Sequence, residues 1–229
     1  MESKEDYFEL YKRMGVKGTD EQLECQADFM FQKSKTLKTG ENIVHLDYYG
    51  RLITLDEINR IEDQLRTCKL ELSRYDKDGV MYASLEEYTL QVFLFIGATT
   101  VKDVLVGVGT NATWDTIKSV SVYLWNTIRS KLIAKDVRNK SINFGLKMKI
   151  DGNTSFDFKI DGDMSEEVVL QSLDKILKFL ETVPPNRTPA PPEFVVYNEE
   201  KKSWEVKDVR LELFKRVMED KAKKSKRKP

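Results

Sequence analysis

All six prolines of this chain lie beyond residue 183, and five of them crowd into PPNRTPAPP at 184–192. Proline fixes φ and has no N–H to donate, so that run is extended and cannot form a helix or a central strand. Ahead of it stand 183 residues without a proline, free to build uninterrupted helices and strands. The expected organisation follows: a body over 1–183, a Pro-rich linker over 184–192, and a hairpin-helix appendage with a basic tail over 193–229. A chain of 229 residues suits one domain with such an extension. Its 40% hydrophobic content is enough for a core.

Periodicity fills in the body. NIVHLDYYGRLI reads as a hairpin turning near Tyr49 and Gly50, and CKLELSRYDKDGVMYA as a second turning at 76–79. Between them Thr54 and Glu57 form a capping box, and Leu55, Ile58, Ile61 and Leu65 share one helical face. LEEYTLQVFLFI predicts a buried helix capped by Ser84 and Glu87, because it is apolar on most faces. A long helix is predicted from Thr113 to Lys135, with Trp114, Ile117, Val120, Leu124 and Ile128 as its stripe. INFGLKMKIDGNTSFDFKI predicts a hairpin, and a helix carrying Val169, Leu173, Ile176, Leu177 and Leu180 follows over 165–182. Beyond the linker, FVVYNEEKKSWEV predicts a last hairpin and 208–222 a last helix. Strands that come as hairpins predict an α+β fold, with antiparallel hairpins packed on amphipathic helices.

The stretch FDFKIDGD at 156–163 holds three aspartates and a lysine among alternating apolar residues. Requiring both apolar sets to face one side places Ile150 opposite Phe156, Met148 opposite Phe158 and Leu146 opposite Ile160. Lys149 then faces Asp157 across the strands, a favourable pair. Asp163 or Ser165 caps the next helix. Hairpin pairing and capping thus give each acid a structural role. A chemical alternative is that Asp151, Asp157 and Lys159 share the polar face and resemble the PD-(D/E)xK nuclease pattern. That resemblance implies two carboxylates holding Mg²⁺ and a lysine acting on water. The sequence departs from the pattern: no proline precedes Asp151, only five residues separate the two aspartates, and the preceding helix offers only Asp115.

Other motifs exclude more than they suggest. Placing Gly79 at the sixth position of a calcium loop puts Arg74 and Leu85 where Asp and Glu are required. His45 is the sole histidine, so a His-rich zinc site is excluded, and a Ser-His-Asp hydrolase would have to use His45 itself. Cys25 and Cys68 form no framework and read as packed, reduced residues of a cytoplasmic protein. The stretch MESKEDYFELYKR is charged from its second residue, so no secretory signal is expected there. The stretch GTNATWDTIKSVSVYLW, with the hairpin and amphipathic helix after it, is similar to segments of uncharacterised bacterial proteins. That resemblance brings no activity and no residue role.

Charge is uneven. Lys+Arg and Asp+Glu are each 38, but six of the bases lie in the last nine residues, KAKKSKRKP, leaving 38 − 6 = 32 in the rest. The body is therefore mildly acidic and the tail strongly basic. The leading expectation is a non-enzymatic interaction or adaptor protein. It would engage a protein partner, or a second copy of itself, through Tyr197 and Trp204 of the last hairpin and Lys223, Lys224, Lys226, Arg227 and Lys228 of the tail. Nucleic acid is a further partner open to that tail. No cofactor is expected, Mg²⁺ entering only with the nuclease alternative. A third reading is a membrane-associated effector using 92–109. Against it stand Lys102 and Asp103, each costing about 2.5–3.5 kcal/mol at a bilayer centre.

Overall fold

The computed structural model describes residues 3–16, 18–35, 37–38, 40–78, 89–106, 111–134, 141–151, 154–161, 164–183 and 193–207. Local signals start several elements. Ser3 caps α1 (Lys4–Arg13) through a capping box with Asp6, and α2 (Asp20–Ser34) packs back on it. After β1 (Ile43–Tyr48), Thr54 and Glu57 form the expected capping box of α3 (Leu55–Arg66), burying Ile58, Ile61 and Leu65. Then come β2 (Glu71–Asp76), β3 (Thr89–Ile96), α4 (Ala98–Val106) and α5 (Asn111–Ala134). The whole stripe Trp114, Ile117, Val120, Leu124 and Ile128 of α5 is buried. The strands β4 (Ser141–Lys149) and β5 (Ser155–Asp161) form the expected hairpin. Ser165 caps α6 (Glu166–Asp174), which continues as α7 (Ile176–Glu181). The last hairpin is β6 (Glu193–Asn198) and β7 (Ser203–Lys207).

All seven strands join one mixed sheet in the order β2-β1-β3-β4-β5-β6-β7. Neighbours alternate in sense: β2–β1, β3–β4 and β5–β6 are parallel, the other pairs antiparallel. Because side chains alternate across a strand, the sheet has two distinct faces. Val44, Leu46, Leu72, Val92, Leu94, Ile96, Phe144, Leu146, Met148, Phe156, Phe158, Ile160, Val195 and Trp204 form one face. They belong to a single core with residues of α3–α7. Each such large side chain contributes roughly 1.5–3 kcal/mol by leaving water. The opposite face carries His45, Asp47, Tyr75, Phe93, Phe95, Lys147, Asp157 and Lys159. There α2 lies beside β2, with Tyr75 Oη donating to Met30 Sδ at 3.0 Å.

The α+β class holds, but several elements differ from the sequence reading. The residues at Tyr49 and Gly50 do not close a hairpin. They lead into α3, and β1 pairs β2 in parallel across that helix. Of the second predicted hairpin, 71–76 is the strand β2, which pairs with β1, while Gly79 and the returning strand at 80–83 lie outside the described residues. The predicted helix over 85–96 is, from Thr89 on, the strand β3, and its proposed caps Ser84 and Glu87 lie outside the described residues. Its alternate residues Val92, Leu94 and Ile96 meet the helices while Phe93 and Phe95 line the second face. A β-branched and aromatic run of eight is how a central strand reads. The β4–β5 register is two residues from the expected one: Lys147 faces Asp157, and Phe144, Leu146 and Met148 face Ile160, Phe158 and Phe156. A two-residue slip keeps every apolar side chain on its side, so parity alone does not select the register. Of the segment 92–109, the described residues 92–106 contribute the end of β3 and α4, and among the described residues no helix is long and apolar enough to cross a membrane.

The described part of the expected appendage is part of the sheet. Phe156, Asp157, Phe158 and Lys159 of β5 pair with Glu193, Phe194, Val195 and Val196 of β6. The linker 184–192 and the predicted last helix lie outside the described residues.

Candidate functional site

The three residues of the nuclease alternative are held by three different partners. Asp151 sits in the β4–β5 turn, where its Oδ1 accepts the Thr154 N–H at 2.7 Å. This is a turn-forming role for aspartate. Lys159 Nζ stands 3.1 Å from Asp161 Oδ1. Asp157, 5% exposed, has Lys147 Nζ at 3.8 Å. Burial pushes the Asp157 carboxyl above its ordinary range, and the Lys147 and Lys159 charges offset this only in part. Among the described residues no group of three or more His, Cys, Asp or Glu side chains converges to hold a metal ion.

What surrounds Asp157 is a packed polar cluster. Gly145, opposite Lys159, leaves room for the Phe93 ring to lie on the β4 backbone: a Cβ at 145 would fall inside van der Waals contact with Phe93 Cδ1 and Cε1. Lys147 Nζ stands 3.7 Å from the centre of the same ring, a close cation–π contact. Lys77 lies 5.1 Å from it. The sequence signal for Lys147 as partner of Asp157 was the alternation of charges on the two strands, and the register error assigned Lys149 instead.

Tyr197 and Trp204 face the core and not solvent. They are 5% and 6% exposed. Trp204 Nε1 donates to the Ser172 carbonyl at 2.8 Å, and its ring meets Phe158 edge-on at 5.0 Å and Tyr197 at 5.4 Å. They bind the last hairpin to α6 and β5 and are not available as partner anchors. Lys223, Lys224, Lys226, Arg227 and Lys228 lie outside the described residues.

His45 is part of a hydrogen-bonded row that the sequence did not reveal. Its Nδ1 is 3.0 Å from Ser73 Oγ and its Nε2 2.8 Å from Asp47 Oδ1. Ser73 also accepts the Lys38 N–H at 3.0 Å and is 1% exposed. The three residue types match a hydrolytic triad, but this serine is sealed beneath the chain at Lys38 and cannot meet a substrate. The row is best read as a tie between β1, β2 and the segment before β1.

A feature with room for a ligand lies along β2. A groove of about 550 Å³ is lined by Phe29 and Gln32 of α2, Glu62 of α3, and Leu72, Arg74 and Tyr75 of β2. It meets a second depression of about 510 Å³ lined by Arg66, Lys69 and Glu71; Lys38, Glu62 and Leu72 border both. The orientation of β2 follows from two bonds to the β1 side: Glu71 N–H to the Asn42 carbonyl at 2.9 Å and Lys77 N–H to the Tyr48 carbonyl at 2.7 Å. With a period of two, residues 71, 73, 75 and 77 bond β1, and the backbone N–H and C=O of Leu72 and Arg74 point away from it. No hydrogen-bond partner for those four groups occurs among the described residues. Leu72 is 2% exposed, so its edge is recessed between the flanking helices. Such recessed, unpaired backbone groups cost about 1–3 kcal/mol each relative to a paired state. The walls come from three stretches well apart in sequence, Phe29 to Gln32 with Lys38, Tyr48, and 62–76, and no local motif announced them.

No protein-family model matches the chain, and comparison with curated proteins and with solved structures gives no match either.

Proposed function

We propose that this protein is a non-enzymatic interaction protein whose partner surface is the outer edge of β2. The partner is an extended segment of another protein that adds to the sheet as an eighth strand. The observation that carries this reading is the groove along β2 with the outward N–H and C=O groups of Leu72 and Arg74 at its floor. Strand addition satisfies such groups directly, and main-chain bonds of this kind supply affinity while flanking pockets supply specificity. A single extended chain suits the space. A second sheet would bring its own covering helices against α2 and α3.

The interaction reading of the sequence is kept, but its surface moves from the last hairpin to the opposite end of the sheet. The reason is that Tyr197 and Trp204 are buried in the core. The test is selection from a displayed library of random ten-residue peptides on the immobilised full chain, repeated on Gln32→Trp, which fills the groove from α2. Peptides enriched on the natural protein and lost on the variant support the reading. Peptides that bind both proteins equally, or no enrichment at all, defeat it.

A further inference from the structure

Resting on that reading, we infer that the captured segment presents a carboxylate to Arg74. The groove contains three other basic residues, and two of them already have acidic neighbours. Lys38 Nζ is 3.4 Å from Glu71 Oε2, and Arg66 is 3.7 Å from Glu62. Lys69 stands at the rim. Arg74 differs from all of them. Its side chain is half-buried and lines the groove, its Nη1 has no hydrogen-bond partner, and no acidic side chain lies within ion-pair distance of it among the described residues.

A guanidinium is always charged and offers a planar fork of donors, so a buried N–H left unpaired is a strong demand for an acceptor. The side chain of Arg74 shares the α3-facing side of the sheet with Leu72, as its pairing with Leu46 requires. A residue of an added strand lying beside Arg74 would project to the same side. Glutamate or aspartate there, or a terminal carboxylate, makes the paired, bidentate contact that the free protein lacks. The specificity of the groove is therefore for an extended acidic segment, with β2 supplying the main-chain bonds and Arg74 the side-chain selection.

The experiment uses the full chain and three synthetic eight-residue peptides of alternating valine and threonine, identical except for glutamate, glutamine or lysine at a central position. Affinities are measured by fluorescence anisotropy, with the protection of backbone amides followed in the same samples. The glutamate peptide is expected to bind at least about tenfold more tightly than the glutamine peptide, as a charge-assisted pair implies. The lysine peptide is expected to be weakest. Arg74→Met should erase the difference between glutamate and glutamine, while Arg74→Lys retains part of it. Equal binding of glutamate and glutamine peptides, with amides at 72 and 74 protected by both, overturns the carboxylate inference and leaves strand addition intact. A glutamate preference that persists in Arg74→Met overturns the assignment to Arg74. No binding and no protection with any of the three overturns the inference together with the reading beneath it.

Discussion

Replacing Trp204 by alanine tests whether the last hairpin is structural. The indole is buried against Phe158 and Tyr197, and its Nε1 donates to the carbonyl of Ser172, itself fully buried. Truncating a core tryptophan costs about 3–5 kcal/mol through lost transfer energy and the cavity left behind. Leaving the Ser172 carbonyl without its donor adds about 1–3 kcal/mol. Some collapse of the site will offset part of this, so the expected loss is about 4–6 kcal/mol. Domains of this kind have roughly 5–15 kcal/mol in total, so the variant should be close to unfolding. Trp204→Phe keeps an aromatic ring and loses the donor, and should cost about 1–2 kcal/mol. Urea unfolding followed by far-ultraviolet circular dichroism reads both values from the midpoints. A Trp204→Ala midpoint within about 1 kcal/mol of the natural protein would refute the reasoning, because surface substitutions behave that way. By the same logic, a chain ended at residue 183 should not retain the natural stability, since it exposes the edge of β5 and opens the core.

Two further outcomes follow from the second face of the sheet. Gly145→Ala forces the Phe93 ring off β4 and should cost about 1–3 kcal/mol, with a large part recovered when Phe93→Ala is added; a double-mutant cycle in urea measures the coupling. The Asp157 carboxyl is raised above its ordinary value of 3.8 in the folded protein, chiefly by burial. The stability tied to its protonation is thus present below that ordinary value and lost as pH rises through the folded one. At neutral pH the charged group opposes folding, so Asp157→Asn should be more stable than the natural protein at pH 7 and lose that advantage toward pH 3. Unfolding free energies across pH check this, and an Asn variant destabilised at pH 7 would contradict it.

The parts of the fold that were legible are those written in local spacing. Thr54 with Glu57 and Ser165 announced helix starts, the stripe from Trp114 to Ile128 announced α5, and alternation announced β4, β5 and the last hairpin. The parts that were not legible depend on distant partners. Nothing near Ile43–Tyr48 states that it pairs in parallel with Glu71–Asp76, and the turn residues around both suggested hairpins instead. The run TLQVFLFI is apolar on both faces because helices cover one side and Gly145, Lys77 and Lys147 pack around Phe93 on the other. That demand resembles a buried helix when read alone. Tyr197 and Trp204 were aromatic and lay beyond a proline run, which suggested a tethered surface, yet β6 had the alternation of a strand able to join β5. Of the candidate site almost nothing was visible. Arg74 entered the sequence reading only as a failed calcium ligand, and the groove requires α2, α3 and β2 to be assembled first.

The central claim is that β2 accepts a strand, and amide hydrogen exchange measured residue by residue by NMR addresses it most directly. In the free chain the amides of Ser73 and Tyr75, bonded to β1, should be strongly protected, while those of Leu72 and Arg74 should exchange faster. Adding a peptide selected on the groove should slow Leu72 and Arg74 and leave Ser73 and Tyr75 unchanged. Protection of Leu72 and Arg74 that is already as high as that of Ser73 without any peptide, or that does not change when the peptide binds, would contradict the account.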